Sequence, residues 1–248
     1  MNRLINRHCV EAADPPPGGR VLDFGSGLGH MAVAFAERVG PQGRVVGIER
    51  SPDQIAAARA FERPNLEFRI GDATDPPLEE GEWGTFDLVH ARFLLEHVPD
   101  PLAVVRRMVA AARPGGRVVL ADDDHEILRL HPEPPSFPRL WRAYMEAYRR
   151  LGNDPIVGRR LVTLLHLAGA RPVRTEWLPF GSCAGDPLFA GYAENMIGVI
   201  RTGRETMIRE GLISGGDFDA SIGDLRCWSL LPDAVLWYAL NWAEGARP

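Results

Sequence analysis

Three glycines spaced two apart, Gly25, Gly27 and Gly29, follow the apolar run Val21-Leu22-Asp23-Phe24 and precede a helical stretch from Met31 to Val39. A buried strand that stops in such a turn lets backbone approach a ligand where a Cβ would intrude. The unpaired N–H groups of the helix's first turn add donors. Together these features cradle a nucleotide-like cofactor at the carboxyl end of a parallel strand. A dinucleotide cradle is spaced G-x-G-x-x-G, which needs glycine where His30 stands; the pattern here is D-x-G-x-G-x-G. Two carboxylates end the next two apolar runs. Glu49 can accept from ribose hydroxyls. Asp72 is an acceptor that can also close an Asx-type bend. A third acidic group, Asp122-Asp123-Asp124-His125, sits at another strand end. There His125 can act as a base, the carboxylates can bind a cationic acceptor or a divalent metal, or the run can be a solvated acidic turn.

The elements that must position these residues alternate. Strands are expected at Arg20 to Phe24, Arg44 to Glu49, Leu66 to Gly71, Phe86 to Ala91 and Arg117 to Ala121. Helices are expected at residues 1 to 13, Met31 to Val39, Ser51 to Phe61 and Pro101 to Ala112, with Gly40-Pro41 as a stop signal. Short apolar strands separated by helices predict an α/β, doubly wound parallel sheet. Beyond residue 125 the texture changes. Phe137, Leu140, Trp141, Tyr144, Met145, Tyr148 and Leu151 share one helix face, and arginines fill the other. Further helices are expected at Gly158 to Leu167, Leu188 to Glu210 and Phe218 to Trp228, with strands at Pro172 to Leu178 and Ala234 to Asn241.

A chain of 248 residues suits one α/β domain, with residues 1–125 as cofactor-binding core and residues 126–170 and 185–230 as helical insertions covering a substrate. The net charge is −5 and no basic run is dense enough to track phosphates, which disfavours a nucleic-acid partner. Cys9, Cys183 and Cys227 have no metal-type spacing and suit a reducing compartment. No apolar run reaches the ~18 residues of a membrane span and the N-terminus lacks a signal-like apolar stretch. These totals predict a soluble, cytoplasmic protein with no membrane partner, either monomer or homodimer.

The glycine loop, Glu49, Asp72, the segment Asp87-Leu88-Val89-His90-Ala91-Arg92, the segment Leu95-Glu96-His97-Val98-Pro99-Asp100 and Arg113-Pro114-Gly115-Gly116 occur in one order over residues 20–121. In that order they resemble the motifs of class I S-adenosylmethionine (SAM) dependent methyltransferases. The resemblance implies a seven-stranded Rossmann-like sheet of order 3-2-1-4-5-7-6, its seventh strand antiparallel, with helical lid insertions around strand six. It implies SAM as cofactor, held by Asp23, Gly25, Ser26, Gly27, Gly29, Glu49, Arg50, Asp72, Ala73 and Arg92, with Asp72 toward the adenine amino group.

The acceptor implied by the resemblance is a small molecule. Some relatives that methylate natural-product hydroxyls carry a base histidine in the segment matching His97 and an acidic partner at the position of Asp122. The expected catalytic groups are therefore His97, Asp122 and His125, and O-methylation is favoured over N- or C-methylation. A structural His97, a SAM-binding protein that transfers no methyl group, and a non-catalytic partner-binding module are the rival readings. Relatives that bind a metal use ligands after strands four and five. Strand four here ends in Ala91-Arg92-Phe93, so no metal is expected.

Overall fold

The computed structural model describes residues 2–248, with side chains from Ile5 onward. The first half of the chain runs α1 (Asn2–Ala13), β1 (Arg20–Phe24), α2 (His30–Val39), β2 (Arg44–Glu49), α3 (Pro52–Ala58), β3 (Leu66–Ile70), β4 (Phe86–Arg92), α4 (Pro101–Ala111) and β5 (Ala112–Asp122). The second half runs β6 (Arg129–His131), α5 (Phe137–Arg150), α6 (Leu161–Leu167), β7 (Arg171–Cys183), α7 (Phe189–Thr202), α8 (Arg204–Arg209), α9 (Gly215–Trp228) and β8 (Val235–Ala246). These elements divide into two compact units. A sheet unit comprises residues 2–123, 157–178 and 241–248, and a helical unit comprises residues 124–156 and 179–240.

In the sheet unit β3, β2, β1, β4 and β5 pair in parallel in that order. β8 then pairs antiparallel to β5, from Arg117↔Ala246 to Asp122↔Asn241, and β7 pairs β8. The α/β fold is the one expected. Its order differs by the added three-residue β6, which pairs β8 at Val235 to Trp237 in the helical unit. The strands are rich in Val, Leu and Ile because both faces are covered. Leu22, Phe24, Val46, Ile48, Val89, Val118 and Leu120 join α4 and α6 in one buried cluster.

Some boundaries moved for identifiable reasons. β5 begins at Ala112 instead of Arg117, because the Pro114-Gly115-Gly116 turn is an irregularity inside the strand: Ala112 pairs Phe86 and Arg117 pairs Leu88. The helix expected over Leu188 to Glu210 breaks at Gly203, where an added Cβ would lie 3.1 Å from the Tyr144 ring. The helical unit has its own core, with Phe137, Leu140, Tyr144, Phe189, Phe218 and Trp228 among its buried residues. Among the described residues, no helix is long and apolar enough to cross a membrane.

Candidate active site

β1 delivers the chain into the glycine loop, where Gly25, Gly27 and Gly29 have φ of +66°, +55° and +83°. This left-handed backbone is why the positions are glycine. At Gly29 there is a second reason, since a Cβ would sit 2.6 Å from the Phe68 ring of β3 and prevent α2 from starting there. Gly29 caps α2 without a side-chain bond, so the first-turn N–H groups stay available to a ligand. Glu49 holds the loop from β2. Its Oε2 accepts from the Gly27 N–H at 3.0 Å and its Oε1 from the Ser51 N–H at 2.9 Å. A carboxylate oxygen accepts two bonds, so each keeps capacity for a ribose hydroxyl.

Asp72 lies at the end of β3. Its Oδ1 accepts from the Thr74 N–H at 2.7 Å and the Thr74 hydroxyl at 2.6 Å, the Asx-type bend weighed from sequence. The Thr74 hydroxyl and N–H hold the Asp72 carboxyl below its ordinary range, and the Arg50 charge adds to this. Both bonds fall on Oδ1, so Oδ2 keeps its lone pairs. Arg50 is exposed, and Ala73 is buried in the sheet-unit core. Ser26 is buried and its Oγ has no protein partner. That orphaned hydroxyl, the uncapped α2 and the left-handed glycine cradle fit a nucleoside-bearing cofactor such as SAM.

Two expected cofactor residues are engaged by other side chains of the protein. Asp23 is buried and its Oδ1 lies 2.7 Å from Nδ1 of the fully buried His90 on β4, its register partner. Arg92 reaches α1 instead, donating from Nη2 to Asn6 Oδ1 at 2.6 Å and from Nη1 to Cys9 Sγ at 3.6 Å. Asn6 carries no signal in the sequence, and His90 and Cys9 enter there only within a motif segment and among the cysteines, without these partners. The signal for His90 was a polar residue inside the apolar strand 86–91, matching the polar Asp23 inside β1. For the α1 contacts no local pattern exists.

On the β4–β5 side, Asp122 is 1% exposed. Its Oδ2 accepts from the Leu94 and Leu95 N–H groups at 3.2 and 2.7 Å, and its Oδ1 from the Asp123 N–H at 2.9 Å. Burial pushes its carboxyl up to about 7, and the Asp123 carboxylate adds to the rise against the pull of peptide N–H groups. The His97 side chain is 45% exposed, with Nε2 3.5 Å from Oε1 of buried Glu96. The reading of a solvated acidic turn at 122–125 is overturned, because Asp122 and Asp124 are both buried. Asp124 caps the short turn that follows by accepting from the Glu126 N–H at 3.1 Å.

In the helical unit His125 is 6% exposed, its ring 5.4 Å from Trp141, 5.9 Å from Tyr144 and 5.5 Å from Tyr148 between centroids. The Trp141 indole N–H donates to the His125 carbonyl at 2.8 Å. The aromatic face expected on this helix is thus a stacked ladder, with Trp141 and Tyr144 at 5.2 Å and Tyr144 and Tyr148 at 5.8 Å.

A profile of the methyltransferase-domain family matches residues 1–175. Nocamycin O-methyltransferase of Saccharothrix syringae is 36% identical over 143 residues, which are 56% of this chain and 47% of that enzyme. A demethylmenaquinone methyltransferase of Bacillus cereus is 34% identical over 199 residues, 74% of this chain and 83% of that enzyme. The chain spans about half the length of several curated relatives it matches. Among solved structures, geranyl diphosphate C-methyltransferase of Streptomyces coelicolor, in complex with geranyl diphosphate and S-adenosyl-L-homocysteine, has a TM-score of 0.60. That match covers 100% of this chain and 80% of the other at 14% identity, a likeness of fold.

Proposed function

The chain belongs to the methyltransferase-domain family, and we propose that this SAM-dependent enzyme methylates a hydroxyl of a small natural-product or metabolite acceptor. When bound, SAM supplies an electrophilic methyl group on a sulfonium. The glycine loop and the first turn of α2 receive its polar groups, Glu49 takes the ribose hydroxyls and Asp72 the adenine amino group. Arg50, Ser26 and Ala73 border that cradle, and Asp23 and Arg92 shape it from β1 and β4.

The observation that carries O-methylation is His97. Its half-exposed imidazole stands beside the buried Glu96 carboxylate, an arrangement that orients a base and stabilises it once protonated. A hydroxyl nucleophile must lose its proton as it attacks, and an imidazole nitrogen of His97 holds that proton. Asp122 acts through the segment that bears His97, which it holds, and His125 is the second candidate base. The helical unit, without a legible motif, selects the acceptor, as expected of the insertions at 126–170 and 185–230. With Cys9, Cys183 and Cys227 as free thiols, the reading places the enzyme in the cytoplasm.

The test is S-adenosylhomocysteine release with a panel of phenols, quinols and polyols, followed by identification of the methylated atom. A methyl ether is expected, and a methylated nitrogen or carbon overturns the O-acceptor. His97→Ala should lower kcat by about 10²–10⁴-fold at saturating acceptor and leave cofactor affinity unchanged. Unchanged turnover in that variant removes the base.

A further inference from the structure

Asp122 is a buried carboxyl with peptide N–H groups converging on both of its oxygens. Leu94 and Leu95 donate to Oδ2 and Asp123 donates to Oδ1. A carboxylate occupied in this way is built to hold backbone. What it holds is the segment that leaves β4. The first residue of that segment, Phe93, has φ +53°, a left-handed conformation that a phenylalanine adopts only when its surroundings impose it. The Phe93 N–H donates to the Ala121 carbonyl at 3.0 Å. Three consecutive N–H groups, at positions 93, 94 and 95, are therefore tied to the last two residues of β5.

The tied segment leads in two directions. Leu94 packs against the cofactor cradle, since a Cβ added to Gly25 would lie 3.0 Å from Leu94 Cδ1 and 3.3 Å from its Cβ. Residues 95–97 form the short helical turn that carries Glu96 and His97. We propose that Asp122 is a positioning residue that fixes Leu94 against Gly25, so that one buried carboxylate sets both the shape of the glycine loop and the place of the His97 turn. The proposal rests on the SAM-binding reading of that loop. It departs from the expectation that Asp122 is the acidic partner of His97.

The carboxyl is pushed up to about 7 by burial, then by Asp123, so the clamp changes charge near neutral pH. The ionisable groups on the elements packed against β5 are Asp123 beside Asp122, Asp87, His90 and Arg92 on β4, Glu96 and His97 on the turn after it, Arg106 and Arg107 on α4, Arg159 and Arg160 on the turn before α6, His166 on α6 and Glu244 on β8. As pH falls through 7 the carboxyl takes up a proton, its bonds to the N–H groups weaken, and Leu94 is held less firmly.

The experiment measures S-adenosylhomocysteine affinity of the full chain by calorimetry from pH 6 to 8.5, in wild type, Asp122→Asn, Leu94→Ala and the double variant. At pH 8 Asp122→Asn should weaken binding about 10-fold. Leu94→Ala should weaken it comparably, and the double variant should be no worse than the poorer single, because both act on one contact. Wild-type affinity should fall several-fold from pH 8 to 6 and that of Asp122→Asn should stay flat. Wild-type affinity in Asp122→Asn, additive losses, or a retained pH slope overturns the proposal. Amide exchange on wild type keeps the question open to decision if Asp122→Asn does not fold. Protection at Leu94 and Leu95 should drop as pH is lowered through 7, and constant protection overturns the clamp. Should wild type bind no S-adenosylhomocysteine at all, the SAM reading fails, and the exchange data alone decide whether Asp122 fixes the loop.

Discussion

The buried cluster of the sheet unit is largely aliphatic, with Phe24 and Phe86 as its rings, whereas that of the helical unit adds five aromatic side chains to its aliphatic ones. In the first, Leu22, Val46, Ile48, Val89, Val118 and Leu120 fill the space against the parallel strands. In the second, Phe137, Tyr144, Phe189, Phe218 and Trp228 are buried, with Trp141, Tyr148 and Tyr238 packed against them. The working parts differ in the same sense. The cofactor cradle is made of backbone, from left-handed glycines, free N–H groups and the carboxylates of Glu49 and Asp122 that hold peptide groups. The helical unit offers side-chain surface. Backbone geometry accepts few residue types, whereas a packed aromatic face accepts many and can change with the molecule it must fit.

If that division holds, substitutions in the cradle should abolish cofactor binding and leave the helical unit folded. The largest effect is expected for Gly29→Val. It places a β-branched residue at φ +83° and a Cβ 2.6 Å from Phe68, costs that together predict ~1000-fold weaker S-adenosylhomocysteine binding. Calorimetry with near-ultraviolet circular dichroism checks it, and binding within 10-fold of wild type would show that the cradle is not set by backbone. The converse variant is Tyr144→Ala. It removes the middle ring of the ladder and should cost about 3 kcal/mol in urea unfolding. Cofactor affinity should move less than twofold. A parallel loss of cofactor binding breaks the comparison.

The same contrast explains what could be read before the structure. Glycines at 25, 27 and 29 are legible because their φ values exclude other residues, and Glu49 is legible as the carboxylate that ends the strand beside the loop. Helix and strand types followed from apolar periodicity, but ends at tertiary contacts did not: the break at Gly203 lies where Tyr144, distant in sequence, packs closely. Asp122 was recognisable as an unusual acid, yet its bonds run to peptide N–H groups at 94 and 95, which carry no side-chain signature. The Arg92 contacts to α1 were illegible because their partners are distant in sequence, and only the polar character of His90 inside an apolar strand pointed to its pairing with Asp23. In the helical unit the periodic face of α5 was visible. Its use around His125 was not, because many ring sequences pack equally well.

Glu49→Gln sharpens the cradle's side of the comparison at smaller cost. The amide keeps one acceptor oxygen and loses the charge, and one charge-assisted bond predicts about 10-fold weaker S-adenosylhomocysteine binding. An analogue lacking the ribose hydroxyls separates two origins of that loss. If Glu49 reads the ribose, the variant and wild type should bind the analogue within a fewfold of each other. A full 10-fold gap with the analogue shows that Glu49 acts only by holding Gly27 and Ser51.

The smallest effect concerns stability, and it separates the units by charge. Asp122 has a folded-state pKa pushed up to about 7 by burial, above the roughly 3.9 of an unfolded aspartate. Below both values the carboxyl is protonated in either state, and its contribution to stability is fully present. Between them the folded state binds the extra proton, so stability falls as pH rises and the contribution is lost once pH passes the folded value. Asp122→Asn cannot ionise, so its melting temperature relative to wild type should rise by on the order of 5 °C from pH 5 to pH 8. Tyr144→Ala keeps the Asp122 carboxyl, so it should keep the share of the wild-type pH slope that Asp122→Asn loses. Scanning calorimetry at both pH values decides the matter. A flat or falling difference for Asp122→Asn shows that the carboxyl is already ionised well below neutrality, and the buried clamp would then hold its peptide N–H groups at constant charge.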